Sequence, residues 1–438
     1  MPENKRDAGL VRAVGPWGLA ASTVCIVVGA GIFVVPAKLA ASVGSYAPLA
    51  LLVCALAIGA IAICFAEGGS RLASSGGAYG YIAAAFGPLA GFIAGVLSWL
   101  GCVLASGGVA AALADVICSA LPPQWGPAVR VLAIVGVIGG IALVNVGGVV
   151  RATRLVSGAT LLKLVPLLIF VVFGAGAVHA ANFAPTVQPD SAGLGRALIL
   201  AMFAFSGMEI SLCASGEVAE PARTIPRALA LAMVGVTLLY VAIQVVAQGI
   251  LGPELAHSSV PLADAMGRIS PALRALMLAG AAVSMFGLLS SELLGNPRVL
   301  FAFARDGLLP RALARVHAGS HVPHVAILVN AGIAMVLALA GSFALLAIWS
   351  TLATALLYLL GCVAAWQLAR RGVAEAGPPL GFRWLGIACG VGVVAVVVLV
   401  ALAEIQEIVG LAIVVGASAL AFLLLDRWRH PVAAAEEG

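Results

Sequence analysis

Polar residues are sparse along most of the chain and gather in short groups, so that apolar runs of helix-spanning length follow one another. A hydrocarbon layer of about 30 Å needs about 20 such residues per helix. The pattern predicts twelve helices, approximately Trp17 to Ala41, Ala47 to Ala66, Leu89 to Ala120, Val129 to Val150, Gly158 to Val178, Leu194 to Gly216, Leu229 to Leu251, Leu273 to Phe303, Val325 to Ala340, Phe343 to Leu368, Trp384 to Ala403 and Ile408 to Leu425. No short apolar run with a small-residue cleavage site precedes the first of them, so no cleaved signal is expected.

Two of the runs carry an interruption near the middle. The first contains Val27-Val28-Gly29-Ala30-Gly31-Ile32-Phe33, with Pro36 a turn later. The sixth contains Phe203-Ala204-Phe205-Ser206-Gly207-Met208-Glu209, a glycine followed by a carboxylate. Glycine inside a helix costs about 1 kcal/mol relative to alanine, so both places unwind cheaply. Either glycine alone also suits a close helix contact in a membrane. Together they occupy equivalent places if helices one to five and six to ten are inverted halves. Unwound backbone at membrane depth is tolerated where it lines a cavity, so matched breaks point to a transport site.

Composition and charge sharpen this picture. Of 438 residues 63% are hydrophobic and 9% charged, too few polar groups to cover a soluble surface. With both termini on one side, seventeen basic residues fall to that side and five (Lys38, Arg130, Arg196, Arg268 and Arg274) to the other. Lys163 stays inside the membrane, which accounts for all 23. The asymmetry predicts cytoplasmic termini and a multi-pass protein of the inner (plasma) membrane. The net charge of +5 is spread over short loops and forms no aromatic-interleaved stripe, so nucleic acid is not an expected partner. The eight cysteines lie in or beside apolar runs and the six histidines in loops, edges or the tail, without metal-ligand spacing. No phosphate-cradling loop or nucleophile elbow is present, so neither a cofactor nor an enzymatic activity is expected.

Five motifs in order carry a family resemblance. They are Gly29-Ala30-Gly31-Ile32-Phe33 with Pro36; Gly76-Gly77-Ala78-Tyr79-Gly80-Tyr81 with Phe86-Gly87-Pro88; Phe205-Ser206-Gly207-Met208-Glu209; Glu217-Val218-Ala219-Glu220-Pro221 with Ile225-Pro226-Arg227; and Ala304-Arg305-Asp306-Gly307-Leu308-Leu309-Pro310. Over about Gly15 to Arg371 the sequence resembles the amino acid, polyamine and organocation transporter superfamily, among its members bacterial amino acid permeases and the arginine/agmatine antiporter. The resemblance implies an all-α membrane protein of 12 transmembrane helices with a 5+5 inverted-repeat (LeuT-like) core, broken helices 1 and 6, and two additional C-terminal helices. Residues 1–371 would form the transport core, in halves of about 12–179 and 190–371. Residues 372–438 would hold helices 11 and 12 and the cytoplasmic tail, which either support a homodimer or cap the bundle.

The implied activity is secondary transport of an amino acid or related amine. The amides of Ala30, Gly31 and Ile32, freed beside Gly29, would bind its carboxylate at a helix N-terminus. Carbonyls of Val27, Phe203 and Ser206, beside Gly207, would accept its ammonium. Phe203 stands where the arginine/agmatine antiporter has a tryptophan, and Ser106 and Ser350 stand at polar positions of its site. Glu292 replaces a second tryptophan, which argues against an arginine-type substrate and for a small or medium neutral amino acid. Cationic amino acids or polyamines remain the rival, as does an amino-acid sensor that transports nothing. Glu292 lies 13 residues before Arg305, about 20 Å of helix, near mid-membrane, and either meets substrate or a proton or partners an internal polar group. Glu209 either gates, responding to protons, or ties the helix break. Lys163 is too deep to snorkel easily and occupies the place of sodium in sodium-driven relatives. It would bridge helix-one carbonyls to the hydroxyls of Ser290 and Ser291, as a dynamic coupling group or a static tether. Proton symport and exchange both stay open.

Overall fold

The computed structural model describes residues 15–72, 77–122, 126–148, 163–184, 189–211, 218, 220–305, 307–375 and 377–436. Parts of the fourth, fifth and sixth expected helices, and Gly76, Glu217, Ala219 and Asp306 of the motifs, lie outside them. Regular structure among the described residues is helical. In chain order the α-helices are α1 (Pro16–Val27), α2 (Gly31–Val43), α3 (Ala47–Arg71), α4 (Gly77–Phe86), α5 (Pro88–Ser119), α6 (Gly126–Val146), α7 (Leu164–Gly174), α8 (Ser191–Phe205) and α9 (Met208–Ser211). They continue as α10 (Pro221–Leu251), α11 (Pro261–Gly267), α12 (Pro271–Gly295), α13 (Pro297–Arg305), α14 (His324–Ala340), α15 (Phe343–Arg370), α16 (Leu385–Ala401) and α17 (Ile405–Glu436).

By length and composition, seven helical runs among these residues are apolar enough to cross a membrane, accompanied by four shorter apolar helices. The side chains are sorted in the sense a membrane demands. Leu56, Leu132, Val172, Leu238 and Ile405 face outward, while Thr23, Glu67, Ser106, Asn145, Lys163, Gln244 and Asn330 are buried. Water would penalise this sorting, and lipid favours it. The molecule is an integral membrane protein.

Proline and glycine set the helix limits. Proline opens α1, α3, α5, α10 and α12, where its missing N–H is one that a helix start leaves unpaired. Asp190, Ser270 and Ser342 cap α8, α12 and α15 by accepting backbone N–H groups. At the centre, α5 packs on α15, α12 and α14, and α3 packs on α10, α15 and α16. Small residues allow close approach: a Cβ on Gly101 would stand 2.9 Å from Thr354 Oγ1, and one on Gly361 2.6 Å from Phe65.

The i,i+4 pair Glu67 and Arg71 at the end of α3 is buried and holds a distant segment. Arg71 donates to Glu67 from Nε at 2.8 Å and approaches it with a terminal nitrogen at 2.6 Å. The same guanidinium donates to the Val373 carbonyl, and the Arg71 carbonyl accepts from Glu375 N. Glu67 in turn accepts the amides of Gly381 and Phe382, and Ser70 that of Leu380. The connection from α15 to α16 is thus strapped to α3.

Candidate functional site

The first long apolar run is two helices rather than one. The α1 ladder ends with Val28 N donating to Val24 O, after which Gly29 N turns back to Val27 O at 2.8 Å. In α2 the earliest bond is Phe33 N to Ala30 O at 3.1 Å, and Ala30 offers no side-chain cap. The amides of Ala30, Gly31 and Ile32 therefore precede the first bond of α2 and form the positive end of its dipole, in a buried place. Gly31 is required for contact: a Cβ there would lie 3.2 Å from Ala204 Cα and 3.6 Å from Phe203 Cδ1.

The sixth run breaks in the same manner. After α8, Ser206 adopts extended backbone and Gly207 a φ of +113°, a region open to glycine. Ser206 N donates to Phe203 O at 3.2 Å and Ser206 Oγ to Met202 O at 2.9 Å. The chain then re-enters helix as α9, whose first turn carries Glu209. One carboxylate oxygen of Glu209 accepts from Gly207 N at 3.1 Å and from Tyr358 Oη of α15 at 2.5 Å. The two broken elements run antiparallel, because α2 packs on α8 while α1 packs on α9.

Neighbouring helices hold the freed carbonyls of the first break. Val27 O accepts from Tyr240 Oη of α10 at 2.9 Å in addition to Gly29 N, so in this conformation it already has two donors. Gly29 O accepts from Ser284 Oγ of α12 at 3.4 Å. Phe203, partly buried, meets Phe343 edge to face with centroids 5.5 Å apart. Ser106 Oγ of α5 donates to Glu292 Oε2 of α12 at 2.7 Å, which brings together two residues singled out separately in the sequence.

Other residues turn elsewhere. Ser350 Oγ donates to Gly101 O at 2.8 Å, bracing α15 on α5. Ser290 Oγ donates to Phe286 O of its own helix at 2.8 Å, and Ser291 is partly buried. Lys163 is 3% exposed at the N-terminal cap of α7. Sequence reasoning missed Tyr240, Tyr358, Ser284 and Phe343. Two of the chain's five tyrosines donate at a helix break, and a hydroxyl inside an apolar run is the signal that could have found them.

A polar cluster backs the Glu292 side. Pro297 has no N–H for Leu293 O, the carbonyl four residues earlier, and Asn145 Nδ2 of α6 donates to it instead at 3.0 Å. Asn330 Oδ1 accepts from Trp99 Nε1 and from Asn296 Nδ2, both at 3.0 Å. The helix is thus broken again between α12 and α13, with side chains of α5, α6 and α14 completing it. No cluster of three metal-ligating side chains occurs among the described residues.

Two interrupted helices crossing antiparallel, with an uncapped helix N-terminus at their junction inside a lipid-facing bundle, are an arrangement suited to a membrane transporter. Residues 14–422 match the amino acid permease family, and the chain belongs to it. It is 36% identical over 317 residues to an uncharacterized transporter of Mycobacterium tuberculosis (strain ATCC 25618 / H37Rv), covering 71% of this chain and 70% of the relative. Two Bacillus subtilis (strain 168) proteins are each 27% identical. They are a methylthioribose transporter, over 334 residues and 73% and 72% of the two chains, and the branched-chain amino acid permease BcaP, over 347 residues and 73% of each.

Proposed function

We propose that the protein is a secondary transporter of neutral amino acids that works by alternating access about its two broken helices. The observation that carries this reading is the junction of α2 with α8. There an uncapped, buried helix N-terminus offers the amides of Ala30, Gly31 and Ile32, and Gly31 lies against Ala204 and Phe203. A carboxylate suits those amides, and the edges of Phe203 and Phe343 suit an aliphatic side chain. The ammonium would lie toward the carbonyls of Phe203 and Ser206. The branched-chain amino acid cargo of BcaP agrees with this reading. Methylthioribose has no carboxylate to place on the amides, so the reading favours the amino acid.

In this reading α1 with α2, and α8 with α9, each cross the membrane once. With the other long helices that makes twelve crossings, ten in an inverted five-plus-five core and two in α16 and α17, with cytoplasmic termini in the plasma membrane. Glu209 gates through Tyr358, and Glu292 with Ser106 forms the polar wall of the site. Lys163 substitutes for a coupling cation, with Ser290 and Ser291 opposite.

Purified protein in liposomes, offered radiolabelled neutral amino acids, arginine, agmatine and methylthioribose, tests this. Uptake of branched neutral amino acids is expected. Accumulation on a proton gradient alone defines symport, and uptake only into preloaded vesicles defines exchange. Transport restricted to methylthioribose or to cations would overturn the substrate, and binding without any flux would make the protein a sensor.

A further inference from the structure

The corner where α15 ends and α16 begins carries groups that the transport reading leaves unused. Trp366 lies one turn before the end of α15, and Arg370 stands over its ring with Cζ 4.9 Å from the centroid. Arg383 stands over Trp384, the residue before α16, at 5.5 Å. The two pairs adjoin, since α15 packs on α16 and the Trp366 indole nitrogen lies 3.9 Å from the place of a Cβ on Gly386. Both rings are exposed, and among the described residues neither indole N–H has an acceptor.

Charge at this corner does not cancel. From Trp366 to Ile387 the chain has three arginines, Arg370, Arg371 and Arg383, against one carboxylate, Glu375, an excess of two positive charges. All four residues are exposed, and among the described residues none of them is ion-paired. Arg71 and Glu67 nearby satisfy each other, and Glu67 holds the amides of Gly381 and Phe382, so the strap delivers Arg383 and Trp384 to the rim. A guanidinium held over an indole is positioned without an anionic partner and keeps its N–H donors for a phosphate.

Beyond Trp384, the residues Ile387, Val391, Val394 and Val398 follow one another at spacings of four, three and four and form an exposed apolar stripe on α16. From Ile387 to Val398 the stripe is about 16 Å long, close to half of a hydrocarbon layer of about 30 Å. It matches the acyl chains of one leaflet, with the indoles at the level of the ester groups and the arginines at the level of the phosphate. We propose that this corner is a docking site for an anionic phospholipid, its phosphate on Arg370, Arg371 and Arg383 and its chains along the α16 stripe. The lipid holds from the membrane side the strap that Glu67 holds from the bundle side.

Purified protein in vesicles of phosphatidylcholine and phosphatidylglycerol tests this, with bromine on the chains of one lipid or the other as a contact quencher of tryptophan fluorescence. The chain has seven tryptophans, so Trp366→Phe with Trp384→Phe identifies the share of the signal that these two give. At equal mole fraction that share should report an association of brominated phosphatidylglycerol at least about fivefold stronger than of brominated phosphatidylcholine. High salt should weaken the preference. Arg370→Gln with Arg383→Gln should abolish it, and Arg370→Lys with Arg383→Lys should keep most of it, because charge selects the head group. Arg311→Gln with Arg315→Gln, which removes the same charge from two other exposed positions, should leave it unchanged.

Equal quenching by the two lipids, or a preference that survives the loss of Arg370 and Arg383, overturns the site. So does a preference that falls as far when Arg311 and Arg315 are replaced, which would mark general attraction to basic loops. Displacement of the brominated lipid by inorganic phosphate would make the corner a free-anion site. Loss of quenching by both lipids as protein density rises would put a second copy of the chain on the stripe. Either of these results defeats the lipid site.

Discussion

At the scale of single residues, the glycines of the breaks were legible because their cost in an apolar helix demands a reason. Gly31 illustrates what the structure adds. Its place beside the α2 amides follows from the sequence pattern, but its contact with the Ala204 backbone does not, since that depends on how α8 crosses α2. Gly31→Val is expected to abolish substrate binding and to cost about 1–3 kcal/mol by overpacking against that backbone. Binding by isothermal calorimetry, read together with thermal denaturation in detergent, checks both effects. Normal affinity would remove the α2 amides from the site. Tyr240 and Tyr358 were passed over for the opposite reason. A tyrosine in an apolar run looks like any other core aromatic until its hydroxyl is seen to reach a carbonyl or a carboxylate.

At the scale of elements, the eighth run was expected as one helix from Leu273 to Phe303, whereas Pro297 divides it into α12 and α13, and neither the break nor its compensation was singled out. The donor that satisfies Leu293 O sits 148 residues earlier, on α6, where Asn145 reads as one polar residue in an apolar helix. Asn145→Ala should leave that buried carbonyl unpaired at a cost of about 1–3 kcal/mol. Pro297→Ala supplies a backbone N–H in its place. In the double variant most of the Asn145→Ala penalty should therefore disappear, a coupling that thermal denaturation of the four proteins in detergent measures directly. Additive losses would show that Asn145 acts through something other than the missing amide. The same reasoning explains why Ser284, the α12 hydroxyl that meets Gly29 O at the first break, was missed. Several hydroxyls lie on α12, and only the helix crossing selects the one that reaches this carbonyl.

At the scale of the whole molecule, the order of apolar runs, the lipid-facing exterior and the family could be read directly from the chain, because membrane solvation writes itself into every span. Glu67 and Arg71 stand four residues apart in the chain, a spacing that suits a pair on one helix face. What the pair holds was not legible, since residues 373–382 carry no pattern that assigns them to α3. Exposed pairs such as Arg223 with Glu220 contribute at most about 1 kcal/mol, but breaking a buried one costs about 3–5 kcal/mol. Glu67→Ala should therefore lower the detergent melting temperature markedly and open the 373–382 segment to proteolysis. Glu220→Ala, on the same assays, should change neither. An uncut segment in the Glu67 variant would mean that the strap is held by other contacts.

The strap also bears on how the chain tolerates loss of its end. A nonsense allele stopping after Arg371 would keep all the residues of the expected ten-helix core, yet it would remove the Gly381 and Phe382 amides from Glu67 and the Val373 carbonyl from Arg71. The pair would be left at the rim of the bundle with all of these partners gone. Such a product would be cleared by cellular quality control rather than persist as a smaller, working carrier.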